Sequence, residues 1–370
     1  MKALSHRLAP FATALVALAA LGLPAAARDR HEEGAYKVTN LVSDLPGMAA
    51  VTDPDLVNPW GISFSPTGPF WLSDNGTGLS TLYNGAGTKQ SLIVAIPPPI
   101  GSTDTGTPTG QVFNPTPDFA VSEGAKSGKS AFLFASEDGT ISGWSPGVDF
   151  LHAIVAVDNS ASGAVYKGLA LDHVGTANFL YAANFRAGRI DVFDKNFKPA
   201  MLAGVFQDKH IPAGYAPFNV QNISGFLVVT YAKQNAEKHD DVAGAGHGFV
   251  DMYLSNGRLV SRLASRGPLN SPWGVALAPA GFGRFSHALL IGNFGDGRIN
   301  AYDTREGEFL GQLRGPNEKP LAIDGLWGLS FGNGHAAGDI DKLYFTAGIS
   351  HEQHGLFGSI QSAPETDDED

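Results

Sequence analysis

The chain has no cysteine among its 370 residues, so no disulfide, thiolate nucleophile or Cys-ligated metal can be built from it. Charge is also scarce. Asp, Glu, Lys and Arg make up 16%, and 25 basic residues face 36 acidic ones, a formal −11. A surface this short of cations cannot neutralise phosphates, which excludes nucleic acid and anionic lipid as expected partners. Long apolar runs are missing too, apart from "FATALVALAALGL" near the N-terminus, and that run of about 13–15 residues falls short of the ~20 that a spanning helix needs. With Lys2 and Arg7 before it and Ala25-Ala26-Ala27 after it, the run reads as an export signal over residues 1–27. The expected product is exported, periplasmic or extracellular, with no membrane insertion after signal removal. Losing Lys2 and Arg7 takes its charge from −11 to about −13.

What the chain does have is glycine, 46 residues of it, and a period. "NFRAGRIDVFD" (184–194) returns as "NFGDGRINAYD" (293–303). The phrases "NPWGISFSP" (58–66), "SPWGVALAP" (271–279) and "GLWGLSFGN" (325–333) open units of the same kind, with weaker versions at "DFAVSEG" (118–124), "YKGLALDH" (166–173) and "PFNVQNIS" (217–224). If Trp60, Phe119, Lys167, Phe218, Trp273 and Trp327 are equivalent, differences between successive positions are 59, 48, 51, 55 and 54, which makes six units.

Each unit continues with short apolar runs such as "FLYAANF" and "LLIGNF", then a Gly-containing turn, then a further run such as "GRIDVFD". Runs of this length bounded by Gly, Asn and Asp read as strands joined by hairpins. A period near 50 with three or four strands per unit is the mark of a β-propeller. The expected fold is therefore all-β, a six-bladed β-propeller over residues 28–363, with a β-sandwich pair or a seven-bladed ring as alternatives. The last unit ends on "GLFGSIQ" while "AYKVTNLV" (35–42) stands unassigned before the first, so the N-terminal strand is expected to complete the last blade and close the ring. Residues 364–370, ending in "ETDDED", are too acidic to bury anything and read as a disordered tail.

These phrases, with "KHDDVAGAGHGFVD" and "DGLWGLSFGNG", resemble a family of exported bacterial propeller proteins of unknown function, over nearly all of the mature chain. Where members often carry a C-terminal sorting tail, this chain ends in "ETDDED". More distantly the unit is similar to NHL-repeat propellers and to six-bladed enzymes of the gluconolactonase and paraoxonase type, an analogy of architecture.

In such a ring the segments leading into the inner strands and the hairpins between second and third strands share one mouth. The lead-in segments offer Asn58, Asn270 and Asp324, and the hairpins offer Asp74, Asn75, Glu137, Asp138, Asn184 and Asn293. Side-chain oxygens of this kind suit a hard cation such as Ca²⁺. Resemblance to the gluconolactonase type implies a metal held by such groups, here Asn58, Glu137, Asn270 and Asp324. The competing reading of Asp74, Asn75, Asn184 and Asn293 is that tight hairpins simply demand Asn and Asp.

Two hairpins are rewritten. "KQNAEKHDDVAGAGHG" (233–248) carries His239, Asp240, Asp241 and His247, and "ISHEQHG" (349–355) carries His351, Glu352 and His354. Imidazoles beside carboxylates can ligate Zn²⁺ or act as general acid and base, with His239, His354 and Glu352 the candidate catalytic groups. The match of residues 328–332 to G-x-S-x-G lies in an expected inner strand without the strand–turn–helix of a nucleophile elbow, and "GAGHG" lacks a βαβ context. Trp60, Trp273 and Trp327 are either an aromatic platform or blade-to-blade packing.

The leading expectation is a small-molecule or extended ligand bound at the polar mouth. A metal-dependent hydrolase or lactonase using Ca²⁺ or Zn²⁺, and a scaffold for an extracellular protein partner, are the alternatives.

Overall fold

Each repeat is built from runs of four to nine residues rich in aromatic and β-branched side chains, and turn residues break it into an antiparallel meander. The computed structural model describes residues 34–363; the export signal expected over residues 1–27 and the disordered tail expected over residues 364–370 fall outside the described residues. Six sheets form a ring, a six-bladed β-propeller. The inner strands are Pro59–Phe64, Pro108–Phe113, Tyr166–Val174, Tyr215–Ile223, Pro272–Leu277 and Leu326–Phe331; each packs beside the next, and the last beside the first.

Second strands such as Phe70–Asp74, Phe132–Ser136, Leu289–Asn293 and Leu343–Ala347 are buried at every position, since neighbouring blades cover both their faces. The core is accordingly divided into clusters between blades: Leu133, Tyr166, Leu169 and Phe193 fill the gap between blades two and three, and Ile299, Leu326 and Phe345 that between five and six. Blade three has three strands, while blades one, two, four and five have four.

The N-terminal strand does close the ring. Ala35–Ser43 pairs antiparallel with Leu356–Ala363, in register from Ala35 opposite Ala363 to Ser43 opposite Leu356. Val51–Thr52 adds a fifth strand to this last blade by parallel pairing. The two similar phrases are the second-to-third-strand hairpins of blades three and five, with Gly188 (φ 66°) and Gly297 (φ 69°) in the left-handed region that favours glycine.

Blade two departs from expectation. Its inner strand is Pro108–Phe113, so Thr109, not Phe119, takes the place equivalent to Trp60. The "FAVSE" run instead forms a separate hairpin, Ala120–Glu123 on Lys126–Lys129. Phe119 and Val121 are buried there while Ala120, Ser122 and Glu123 are exposed, an amphipathic pattern suited to lying over a blade. The sequence does carry the right register, as a glycine one place after the equivalent position in "PWG", "PTG", "YKG", "PWG" and "LWG".

That glycine has a steric cause. A Cβ at Gly61 would strike the carbonyl oxygen of Thr109 on the next blade, one at Gly110 the backbone of Leu169, and one at Gly328 would lie 2.7 Å from the Trp60 carbonyl oxygen. Inner strands thus approach backbone to backbone around the axis. Blade four replaces the glycine with Asn219, whose Nδ2 donates to the Trp273 carbonyl at 2.8 Å. Gly61→Ala should therefore cost about 1–3 kcal/mol, read as a lowered denaturant midpoint, whereas Gly147→Ala, at an exposed position with nothing within 4 Å, should leave the midpoint unchanged.

Candidate functional site

The position before each inner-strand glycine, or before Asn219 in blade four, points toward the axis, and five of its six occupants decide what the channel is. Trp60, Phe218, Trp273 and Trp327 converge with Phe185 and Phe294 into one cluster. Trp60 and Trp327 stack with ring centroids 3.5 Å apart, Trp327 and Phe294 at 4.0 Å, and Trp273 meets both tryptophans edge-on. Because Trp60 and Trp273 belong to non-adjacent blades, this is packing across the axis as well as between neighbours: an aromatic septum.

The remaining occupant of note is Lys167. Its side chain is 2% exposed, with Nζ 4.9 Å from the Trp60 ring centroid. A buried ammonium needs a counter-charge, and Lys167 Nζ donates to Glu137 Oε1 from the blade-two hairpin, with Asp240 Oδ1 at 3.7 Å. From this pair a connected arc runs round the mouth. Asn75 Nδ2 donates to Glu137 Oε2 at 2.8 Å, and Asn58 Nδ2 reaches Asn75 Oδ1 at 3.3 Å and Glu352 Oε2 at 3.1 Å. The Trp327 indole N–H donates to Asn58 Oδ1 at 3.1 Å, tying the arc to the septum. On the other side His239 Nδ1 lies 2.7 Å from Asp240 Oδ1. Blades one, two, three, four and six all contribute.

The backbone under the arc is held in unusual conformations. Asn58 (φ 48°) is left-handed immediately before a proline, and Ser350, His351 and Glu352 form three successive left-handed residues (φ 56°, 57° and 65°). Each such residue costs on the order of 1–3 kcal/mol and survives only where its surroundings impose it. Asp324 helps impose it here by accepting the Ser350 N–H at 2.7 Å.

Charge states follow from burial and neighbours. Burial first, and then the negative charge of Glu137, push the Glu352 carboxyl up to about 7, with Lys167 and Asn58 pulling the other way. Burial raises Asp241 as well. The hydrogen bond between them holds Asp240 down and lifts His239, which favours the charged pair. Glu137, His239 and Asp240 offer ligand atoms within 4.8 Å of one another, the spacing a metal ion would need. The Lys167 ammonium already bonds Glu137 and approaches Asp240, so it competes for the same oxygens.

The residues singled out in the sequence divide. Asn58, Asn75, Glu137, His239, Asp240 and Glu352 share the arc. Asn270 is separate, its Oδ1 accepting the Gly244 N–H at 2.7 Å, and Asp324 is exposed and engaged with Ser350. Asp74 is wholly buried and accepts from the N–H and hydroxyl of Thr81. Asp138 likewise binds the Thr140 hydroxyl, Asn184 binds Ala187 N–H and Asp191, and Asn293 binds the Pro268 carbonyl and Asp296, all holding hairpins. His247 faces the Val242 carbonyl and His351 is exposed. His354 bonds Asp44 at 2.6 Å, just beyond the closing strand, and is turned to the ring closure and not to His239. Lys167 is the residue sequence reasoning passed over; its sign was a lone charge in a slot otherwise aromatic or small.

No family model matches the chain. It is 35% identical over 332 residues to an uncharacterized protein of Acanthamoeba polyphaga mimivirus, covering 88% of this chain and 80% of that protein. A second uncharacterized mimivirus protein is 36% identical over 338 residues, covering 90% and 87%. Among solved structures, a glucose dehydrogenase matches with TM-score 0.52 at 15% identity over 88% of this chain and 100% of its own. A Bacteroides thetaiotaomicron protein of unknown function matches with TM-score 0.53 at 10% identity, over 89% and 77%. At such identities the structures support the propeller fold alone. The resemblance to an exported bacterial family holds at the level of that architecture; these relatives are mimivirus proteins.

A carboxyl that keeps its proton to about pH 7 in the fold but only to about 4.5 unfolded favours the native state at low pH. Its contribution is full below pH 4.5 and lost as pH rises to 7. Denaturant stability of the wild type should thus fall relative to Glu352→Gln between pH 5 and 8, by on the order of a few kcal/mol; parallel curves would show that Glu352 ionises normally.

Proposed function

The chain belongs to the family of these mimivirus proteins, and from that footing we propose that its charged mouth is a binding site for a small polar ligand, held and not transformed. The arc from Glu352 through Asn58, Asn75, Glu137 and Lys167 to Asp240 and His239 is the observation that carries this reading. A merely structural mouth needs no buried ammonium and no run of left-handed residues. Both are costs that a fold keeps where polar groups must be presented in fixed positions. The aromatic septum closes the channel beneath, so a ligand would rest on Phe294 and the arc and not pass through.

A metal-dependent hydrolase is a second reading, favoured by the spacing of Glu137, His239 and Asp240. There those three would hold the ion, which when bound would polarise a carbonyl or activate a water, and Glu352, protonated near neutrality, would give or take the proton. Lys167 argues against it as a competitor for Glu137 and Asp240. The leader pattern of residues 1–27 is the ground for placing this activity outside the cytoplasm.

Ligand-observed NMR with a panel of small amines, carboxylates and amides separates true mouth binders from the rest. Hits should be lost in Glu137→Gln and Asn75→Leu; hits retained in both would defeat the binding reading. Metal analysis of purified protein and melting in chelator address the alternative: no stoichiometric Zn²⁺ or Ca²⁺ and an unmoved Tm are expected, and a bound equivalent lost in His239→Ala would favour the hydrolase.

A further inference from the structure

The opposite end of the channel is a different chemical environment. Beyond the septum, the far halves of the inner strands enclose a cavity of about 360 Å³ to which all six blades contribute. That is within the range of small-molecule sites. No Asp, Glu, Lys, Arg or His among the described residues lines it, in contrast to the mouth on the other side of the tryptophans. A charged guest would lose its hydration there without a counter-charge, a loss that hydrogen bonds alone do not offset.

Hydrogen-bonding groups are nonetheless present and lack partners. Gln111 lines the cavity, and its Nε2 is fixed by the carbonyls of Gly61 and Trp71, which leaves Oε1 pointing elsewhere with nothing bonded to it. The Trp273 indole N–H and the Ser63 hydroxyl are likewise buried and unpaired. Half-buried Gln221 has no side-chain partner among the described residues. Ser330 spends its proton on the Phe331 carbonyl and keeps acceptor capacity. Buried polar groups are ordinarily satisfied, so several unsatisfied ones around one cavity call for a cause. Elsewhere in the blades the Gln221 place holds Val112, Ala170 and Ala276, so an apolar lining was available to this fold.

We infer that this cavity is a second binding site, separate from the charged mouth, for an uncharged polyhydroxyl compound of about monosaccharide size. Hydroxyls supply both donors and acceptors without charge, which matches the half-buried lining side chains of Gln221 and Ser330; Gln111 Oε1 and Ser63 Oγ sit just beneath the lining with no surface open to it. A sugar-like ring also has a flat apolar face, for which Leu171 and Trp273 provide surface.

Isothermal titration calorimetry of the full chain tests this with myo-inositol and glucose as neutral probes and glucuronate and glucosamine as charged counterparts. Saturable one-to-one binding of a neutral probe is expected, with the charged ones weaker by about tenfold or more, the equivalent of one unsatisfied polar group. Gln221→Leu should weaken the neutral probe by about tenfold, and Ser330→Ala, which removes one hydroxyl with little change of shape, by about threefold. Glu137→Gln should leave it unchanged. Failure of both neutral probes to bind would mean that water alone fills the cavity and would overturn the inference. So would binding that ignores Gln221→Leu and Ser330→Ala while both variants melt as the wild type does, or binding that disappears in a Glu137→Gln variant whose melting shows it still folded at the titration temperature, which would move the guest to the charged mouth.

Discussion

Pairing of the first strand with the last holds everything else in place. Six blades converge on one axis only if the ring is closed, and closure here is the ladder between Ala35–Ser43 and Leu356–Ala363. It is reinforced on both sides. Tyr36 donates its hydroxyl to the Phe282 carbonyl and its N–H to the Arg314 carbonyl, clamping the closing strand to blade five. At the other end the Ser43 hydroxyl donates to the Gly355 carbonyl, while Asp44 accepts from the Gly355 N–H and bonds His354. The second set of contacts reaches the site. Residues 348–355 are stretched between the second strand of blade six and its closing pair, and Glu352 projects from that span into the mouth. Three left-handed residues are tolerable because both ends of the span are pinned, by Asp324 at Ser350 and by Asp44 at His354 and Gly355. Closure of the ring and presentation of Glu352 are one mechanical problem.

The second constraint is the septum, and Lys167 follows from it. Four aromatic residues at the equivalent inner-strand position, with two more from hairpins, fill the axis with stacked and edge-on rings. Rings present a negative face to a cation, worth about 0.5–2 kcal/mol depending on solvation. That softens the cost of burying the ammonium, and Glu137 supplies the charge. Removing one partner of such a pair typically costs about 3–5 kcal/mol because the other stays buried and unpaired. The pair is therefore poor evidence of stability as such, since apolar side chains would fill the slot as well. It makes sense as a device for holding Glu137 and Asp240 at fixed positions beside a carboxyl that is mostly buried.

How much of this the sequence discloses depends on whether a feature repeats. Blade number and strand order are legible because one opening phrase and its following runs recur six times, and ring closure because a strand is left over before the first unit. The glycine where inner strands touch, at five of six positions, is the steric demand beneath the phrase. Blade two was misregistered because its aromatic slot holds Thr109. A hydrophobic hairpin around Phe119 imitated the missing strand, and apolar content outweighed the glycine that marks the true register. Members of the polar arc are legible where a repeat is broken, since His239, Asp240 and Glu352 lie in the rewritten hairpins of blades four and six. Asp74, Asn184 and Asn293 could not be separated from them by type, since Asn and Asp also serve hairpins through their own side chains. Lys167 escaped because its slot was treated as packing. A single lysine among tryptophans at an axial position has no interior partner visible in one dimension; the partner, Glu137, lies on a different blade.

Opposite ends of one channel thus carry opposite chemistry, and the repeat explains how. Along each inner strand the lead-in residue and the slot beside it face the charged mouth, whereas residues two to four places later face the far cavity. Hairpins between second and third strands crowd the first end with carboxylates and imidazoles. Far from them, the second end is left to short polar and apolar side chains of the strands themselves. With the septum between, the two ends are not one continuous open channel. Glu352 is raised first by burial and then by Glu137 at its own end, whereas no carboxylate among the described residues lines the cavity beside Gln111. The six tryptophan and phenylalanine rings keep the two ends apart in space, and that separation is what allows one scaffold to line them with side chains of different charge.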